Sequence, residues 1–370
     1  MKILVTGANG FIAKNFIQYL SEKENIEILK LYRDSTEQEF EHCIAAADWI
    51  VHLAGVNRPT DDSEFQVGNV SLTEKICNLL VQHNKKTPVI LSSSIQAEAE
   101  NIYGQSKLTG EQVLLQLSKE HGNPVFISRL VNVFGKWSKP NYNSAVATFC
   151  NNIANDLPIQ INDEHALIRL VYVDDVIETF WDILSARKKV DTFFEVQPEY
   201  QITVGELAET IRAFKNSRET LITEHVGLGL QRALYSTYLS FLSPKQFDYA
   251  IPKYGDSRGI FVEMLKTPES GQFSYFTAHP GITRGGHYHH TKTEKFLVIK
   301  GTALFKFKHV VTGEWYQLET SGEEPRIVET VPGWTHDITN IGQDEMVVML
   351  WANEIFDREK PDTYAMPLTN

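Results

Sequence analysis

The sequence predicts two domains, an α/β doubly wound parallel sheet over residues 1–243 and an all-β barrel over residues 244–370. Three observations carry this. At 370 residues the chain exceeds the size at which one hydrophobic core usually keeps growing. Its first part alternates short apolar runs with amphipathic stretches, as strands and crossover helices do. Its last part strings apolar runs between glycine and proline turns, with no helical periodicity between them.

In chain order, KILVTG reads as the first strand and Phe11 to Leu20 as the helix after it. IEILKLY, ADWIVHLAG, PVILSSS and PVFISRLV read as further strands, with SLTEKICNLLVQH and SKLTGEQVLLQLSK as helices between them. Pro244, Pro252, Gly255 and Gly259 then punctuate SFLSPKQFDYAIPKYGDSRG, which marks the domain boundary. Beyond it, FSYFTAH, KFLVIKGTALFKFKHVV, EWYQLE and MVVMLWA read as strands of a barrel or sandwich.

Composition narrows the function. Hydrophobic residues make up 42% and charged residues 22%, as in an ordinary globular protein. The formal net charge of −12, with no basic stretch carrying interleaved aromatics, argues against nucleic-acid binding. No apolar run is long enough to span a membrane and MKILVTGANGFI has no signal-peptide core, so a cytoplasmic location is expected. Cys43, Cys77 and Cys150 are odd in number and far apart, which fits neither a disulfide framework nor a cysteine zinc site.

The first strand runs into Thr6-Gly7-Ala8-Asn9-Gly10-Phe11-Ile12-Ala13. At a strand-to-helix junction this G-x-x-G-x-x-A pattern suits a dinucleotide: Gly7 for the tight turn, Gly10 for close approach of a pyrophosphate, and a small Ala13 for helix packing. The second strand ends in Arg33 and Asp34. Arg33 would favour the 2′-phosphate of NADPH, whereas Asp34 would bond a free ribose hydroxyl; NADPH is the preferred expectation.

Y-x-x-x-K occurs four times, at Tyr19/Lys23, Tyr103/Lys107, Tyr249/Lys253 and Tyr288/Lys292. Context selects Tyr103, which follows the polar strand end Ser92-Ser93-Ser94 and opens a helix that places Lys107 one turn away. Hydride delivery to a carbonyl requires a proton at the developing alkoxide. A tyrosine whose pKa is lowered by a nearby ammonium can supply it. Ser94 would orient the carbonyl, with Ser92 and Ser93 as alternatives.

These motifs, with Asp48-Trp49-Ile50-Val51-His52-Leu53-Ala54-Gly55, Asn69, the run from Arg129 to Gly135 and that from Arg169 to Asp175, resemble the extended short-chain dehydrogenase/reductase (Rossmann) family of nucleotide-sugar enzymes. The resemblance implies a nicotinamide cofactor along Gly7, Asn9, Gly10, Phe11, Ile12, Arg33, Leu53, Ala54 and Gly55, reaching Tyr103 and Lys107, with a sugar nucleotide beyond it. The SIQAEAEN stretch before Tyr103 departs from the family pattern and leaves the choice of serine open.

In the second domain Gly281 precedes His287-Tyr288-His289, then Glu294 and Gly301; Pro332-Gly333-Trp334-Thr335-His336 and Asn340 follow. Residues two apart on a strand share a face, so His287 and His289 can point inward while His290 points away. With Glu294 and His336 they form a candidate site for zinc, manganese or iron, zinc being the first choice. The spacing resembles the two metal-binding motifs of cupins. Asp256 to Gly259 and Thr283 to Tyr288 further resemble the sugar-nucleotide 3,5-epimerase branch, which makes His287 a candidate base as well as a ligand. If His287 is the base, His290 could replace it at the metal.

A reductase joined to an epimerase-like cupin resembles the CapF-type bifunctional enzymes of capsular polysaccharide synthesis. That resemblance implies epimerisation at C3 of a UDP-4-keto-6-deoxy-N-acetylhexosamine, then NADPH-dependent reduction at C4. The product would be UDP-2-acetamido-2,6-dideoxy-L-talose, a precursor of N-acetyl-L-fucosamine. A homodimer is expected by analogy with other cupins. Two alternatives are a C4 reductase whose cupin only binds or dimerises, and a ligand-sensing protein, against which Ser94, Tyr103 and Lys107 count.

Overall fold

In the computed structural model, which describes residues 1–368, the chain divides into two compact units. The first comprises Met1–Ile211 with Leu228–Leu242; the second comprises Arg212–Gly227 with the chain from Ser243 onward. The sequence reading placed a single cut at 243/244. Residues 212–227 belong to the second unit because Leu221 and Thr223 exchange backbone hydrogen bonds with Lys266.

The first unit is built on a five-stranded parallel sheet in the order β2-β1-β3-β4-β5, with β1 Lys2–Thr6, β2 Glu27–Leu31, β3 Trp49–His52, β4 Val89–Ser94 and β5 Val125–Leu130. Ile3, Leu4, Val5, Ile50, Val51, Val89 and Ile90 are all buried, the continuous apolar pattern of strands covered on both faces. Crossovers are made by α1 (Phe11–Ser21), α2 (Glu37–Ala46), a helical stretch running from α3 (Ser63–Phe65) through a π-turn at Gln66–Ser71 into α4 (Leu72–Gln82), and α5 (Ile102–His121). A smaller sheet of β6 (Asn132–Phe134), β7 (Leu167–Tyr172) and β8 (Glu199–Thr203) was not anticipated.

Apart from the end of the helix Val204–Thr220 and a 3₁₀ turn at Pro244–Gln246, the second unit is a cupin-like barrel of two antiparallel sheets in the orders β16-β13-β18-β11-β10-β9 and β15-β14-β17-β12-β19, where β9 is Tyr254–Asp256, β15 Trp315–Ser321 and β16 Ile327–Glu329. The strands that matter for the site are β10 Gly259–Thr267, β11 Gly271–Ala278, β12 Thr283–Tyr288, β13 Glu294–Lys300, β14 Thr302–His309, β17 Trp334–Asn340, β18 Met346–Ala352 and β19 Tyr364–Ala365. Alternation puts Phe296 and Val298 of β13 and Ala303, Phe305 and Phe307 of β14 into one core with Phe276, Ile338 and Val348. The run KFLVIKGTALFKFKHVV is not one strand: it breaks at Gly301, and its halves join different sheets.

The stretch SIQAEAEN becomes a 3₁₀ turn at Ile95–Glu98, closed where Ser94 Oγ accepts from Gln96 N–H (3.2 Å). Asn101 caps α5 by accepting from Gly104 N–H (2.8 Å). A β-carbon at Gly104 would lie 2.1 Å from the Gln96 carbonyl oxygen, so α5 meets this turn with no room for a side chain. Gly104→Ala is therefore expected to cost about 1–3 kcal/mol by overpacking. Chemical denaturation checks this; an unchanged midpoint would show that the turn yields freely.

Candidate functional site

The C-terminal ends of β1, β3 and β4 and the first turns of α5 converge in the first unit. Gly7 has φ +65°, and a β-carbon there would sit 2.7 Å from Ala54 Cα, so the Gly7 turn lies directly against the loop after β3. Gly10 N–H donates to the Gly7 carbonyl (2.7 Å), and α1 begins at Phe11 with no side-chain cap and no acidic residue in its first turn. Leu53, Ala54 and Gly55 form the facing loop, and Ala13 is buried where α1 meets the sheet. Asn9 is exposed and Phe11 and Ile12 half-buried. Arg33 lies just beyond β2, its side chain 86% exposed and its guanidinium 3.0 Å from Glu64.

The three serines at the end of β4 differ in their partners. Ser92 Oγ donates to the His52 carbonyl (3.4 Å), and Ser93 Oγ donates to the buried Glu111 carboxylate. Ser94 is the one whose side chain acts on the Tyr103 phenol. Burial pushes that phenol up, and the neighbouring Ser94 side chain offsets this only in part. The lowering expected from the sequence is thus not found: the Lys107 ammonium donates to the Ser92 carbonyl (3.0 Å), and desolvation sets the direction at Tyr103. A raised pKa keeps the phenol protonated, as a proton donor must be.

Lys107 is buried, which pulls its pKa down to about 8, with the Glu111 charge pulling the other way. Glu111 lies one turn further along α5, is 1% exposed, and accepts from Arg129 Nε (3.1 Å) and Nη2 (2.7 Å). Asn69, within the π-turn, accepts from Val56 N–H (2.8 Å) and donates to the Val56 carbonyl (3.0 Å) and Ser106 Oγ (2.9 Å). Ser106 in turn donates to the Tyr103 carbonyl (2.7 Å). π-turns inside helices often mark functional positions. Glu111 carried no sequence signal beyond its place two turns after Tyr103.

In the second unit His287, His289, Glu294 and His336 offer ligand atoms that all lie within 4.8 Å of one another. β12 and β17 pair His287 with His336, β13 begins at Glu294, and His289 lies in the turn between β12 and β13. His290 is turned away and exposed, its ring packed on Tyr288 and Tyr364. Beside the cluster is a cavity of about 280 Å³ whose lining includes Phe261, Gln272, His287, Lys292, Glu294 and Phe356.

The donor set fits a divalent cation. His289 Nδ1 lies 2.5 Å from the Asp362 carbonyl oxygen, which can only accept, so Nδ1 carries a proton. Its Nε2 faces Glu294 Oε2 at 3.3 Å, an arrangement that needs a proton or a metal ion between them. Both ring nitrogens of His336 are buried without a hydrogen-bond partner, and its Nε2 is 3.5 Å from the same carboxylate oxygen. Leaving such groups orphaned costs about 1–3 kcal/mol each, which metal coordination would recover. Three imidazoles and a carboxylate suit zinc, manganese or iron.

Two family models match the chain: the NAD dependent epimerase/dehydratase family over residues 3–197, and the polysaccharide biosynthesis C-terminal domain over residues 254–364. A UDP-2-acetamido-2,6-beta-L-arabino-hexul-4-ose reductase of Pseudomonas aeruginosa is 58% identical over 365 residues, covering 99% of this chain and 98% of the relative. The crystal structure of the capsular polysaccharide assembling protein CapF from Staphylococcus aureus matches with a TM-score of 0.93 and 42% identity, covering 100% of each chain. A UDP-glucuronic acid 4-epimerase from Bacillus cereus, solved with NAD, matches 65% of this chain and 98% of its own at a TM-score of 0.57 and 17% identity, a likeness of fold alone.

The Lys107 environment sets an expected pH dependence. Below about pH 8 the ammonium is present, and above it the charge is lost, so a reaction that needs the charge should slow by about tenfold per pH unit there. Glu111→Gln should move this falling limb to lower pH by removing the charge that holds the lysine up. Rate profiles of wild type and variant check this; coincident limbs would mean that Glu111 does not act on Lys107.

Proposed function

The chain belongs to the NAD dependent epimerase/dehydratase family and, within it, to the CapF-like capsular polysaccharide proteins, and on that premise we propose that it is a bifunctional sugar-nucleotide enzyme. The cupin epimerises C3 of a UDP-4-keto-6-deoxy-N-acetylhexosamine, and the Rossmann domain then reduces the C4 ketone with NADPH to UDP-2-acetamido-2,6-dideoxy-L-talose. The observation that carries the reductase half is the grouping of Ser94 and the Tyr103 phenol with buried Lys107, whose ammonium faces the Gly55 loop.

In reduction, bound NADPH supplies the hydride. Ser94 orients the ketone oxygen, and Tyr103 passes its phenolic proton to that oxygen as the alkoxide develops. Lys107 supplies positive charge that stabilises the phenolate left behind. Arg33 takes the 2′-phosphate, exchanging its pairing with Glu64 for charge-assisted bonds.

In epimerisation, a divalent ion held by His289, Glu294 and His336 would polarise a substrate oxygen when bound. The 4-keto group acidifies the C3 proton. His287, the least buried of the four and on the cavity wall, takes that proton, and return of a proton to the opposite face inverts the centre. A second reading, a C4 reductase with a non-catalytic cupin, is favoured by the name of the Pseudomonas aeruginosa relative, which mentions reduction alone.

The deciding experiment offers a 4-keto substrate in deuterated water without NADPH. Deuterium uptake at C3 supports the bifunctional reading, with loss of uptake in His336→Ala as its counterpart. No uptake by wild type leaves the simple reductase. For the reductase half, Tyr103→Phe should slow NADPH oxidation by at least about 10²-fold while NADPH still binds. A rate within about tenfold of wild type removes Tyr103 from the role of acid. Arg33→Ala should weaken NADPH binding far more than NADH binding, and equal effects would release Arg33 from the 2′-phosphate.

A further inference from the structure

The C-terminal segment returns to the cluster from 73 residues beyond His289. β19 pairs with β12, setting Ala365 opposite His287 and Tyr364 opposite Tyr288. Met366 N–H donates to the Gly286 carbonyl (2.8 Å), and Thr335 Oγ1 donates to the Met366 carbonyl (2.5 Å). The segment is therefore stitched both to the strand that carries His287 and to the strand that carries His336.

Asp362 lies at the centre of this strap and bonds through both its side chain and its main chain. Its carboxylate accepts from the successive backbone N–H groups of His290 (3.0 Å), Thr291 (2.7 Å) and Lys292 (2.8 Å), and from Thr291 Oγ1 (3.0 Å). Three consecutive N–H groups converging on one anion form a nest, which fixes the turn between His289 and Glu294. The Asp362 carbonyl meanwhile takes His289 Nδ1 at 2.5 Å. One residue thus sets both the course of the turn and the rotation of the imidazole.

We propose that Asp362 is a positioning residue for the metal, holding the turn with its carboxylate so that its carbonyl locks His289 with Nδ1 protonated and Nε2 turned toward Glu294 and His336. This rests on the reading of the cluster as a metal site. The strap contributes no ligand of its own; it pre-orients one, so that binding need not select among imidazole rotations and tautomers. Partners of this kind typically contribute 10–100-fold to metal affinity.

The test uses the full chain, Zn²⁺ in competition with a chromophoric chelator, and ¹⁵N-histidine NMR of the metal-free protein. Asp362→Ala keeps the backbone carbonyl but removes the nest anchor. Zinc affinity should fall about 10–100-fold, and His289 should change from a fixed Nδ1–H form to a mixture of tautomers. Asp362→Asn, which keeps an acceptor oxygen, should fall between the two. NADPH affinity should stay at the wild-type value in both variants. Wild-type zinc affinity with an unchanged His289 signal in Asp362→Ala overturns the proposal. Should that variant lose its near-ultraviolet circular dichroism, Asp362→Asn decides alone, and wild-type affinity there also overturns it. If wild type itself takes up no zinc, the metal reading fails, while the His289 tautomer in the variants still judges what the strap does.

Discussion

A single buried imidazole, His52 at the end of β3, joins the parts of the candidate site in the first unit. Its Nδ1 lies 2.7 Å from Thr6 Oγ1 and its Nε2 lies 3.0 Å from Thr73 Oγ1. The proton positions follow from the neighbours. Thr73 Oγ1 donates to the Asn69 carbonyl (2.7 Å), so it accepts from His52 Nε2–H; Nδ1 must then accept from Thr6, whose oxygen accepts from Ala54 N–H (3.2 Å). Asn69 carries the chain on to Ser106 and so to the main chain of Tyr103. The strand end before the Gly7 turn, the loop facing it and the helix bearing Tyr103 are fixed relative to one another by one directional path. Burial, with the nearby Lys107 charge, pushes His52 down to about 3, which keeps it neutral and the path intact at physiological pH. Reversing any donor in this path would leave a buried group unpaired, at about 1–3 kcal/mol.

The second unit is organised by the opposite device. Polar groups there are not mutually satisfied: two imidazole nitrogens and a carboxylate oxygen converge with no donor to share, inside an apolar setting that includes Phe296 and Phe307 beside the His336 ring. The path through His52 in the first unit pairs each donor with an acceptor, whereas the converging imidazole and carboxylate atoms of the barrel are acceptors that a cation would satisfy. Lys292, 3.4 Å from Glu294 and 8% exposed, supplies a fixed positive charge at the edge of the cluster. It faces the same cavity as His287 and so shares the space in which a substrate oxygen would lie.

Much of this was legible in the sequence because it is local. Parallel strands buried on both faces leave continuous apolar runs, and β1 to β5 each lie within a run read as a strand. The glycine turn, the Tyr103/Lys107 pair and the His287/His289 spacing are likewise short-range patterns. What escaped depends on contacts far apart in sequence. Asp362 meets His289 across 73 positions, and Thr6 meets His52 across 46. Neither aspartate nor histidine announces such a role by its neighbours. At Gly301 the inward phase changes, from Phe296 and Val298 to Ala303, Phe305 and Phe307, and the strands on either side join different sheets, a choice of partner strand that the local pattern does not specify. The expected direction at Tyr103 failed for a different reason: proximity of an ammonium was assumed, whereas burial acts on the phenol whatever the ammonium does.

The most direct measurement is the protonation state of His52, followed by long-range ¹H–¹⁵N NMR as pH is lowered. A path running from Thr6 to Tyr103 requires a neutral ring protonated at Nε2, unchanged at pH 5, well above the value of about 3 to which burial brings it. A ring that takes up a second proton near pH 6.5, or that carries its proton on Nδ1, would contradict the shared frame for the Gly7 turn and the helix bearing Tyr103.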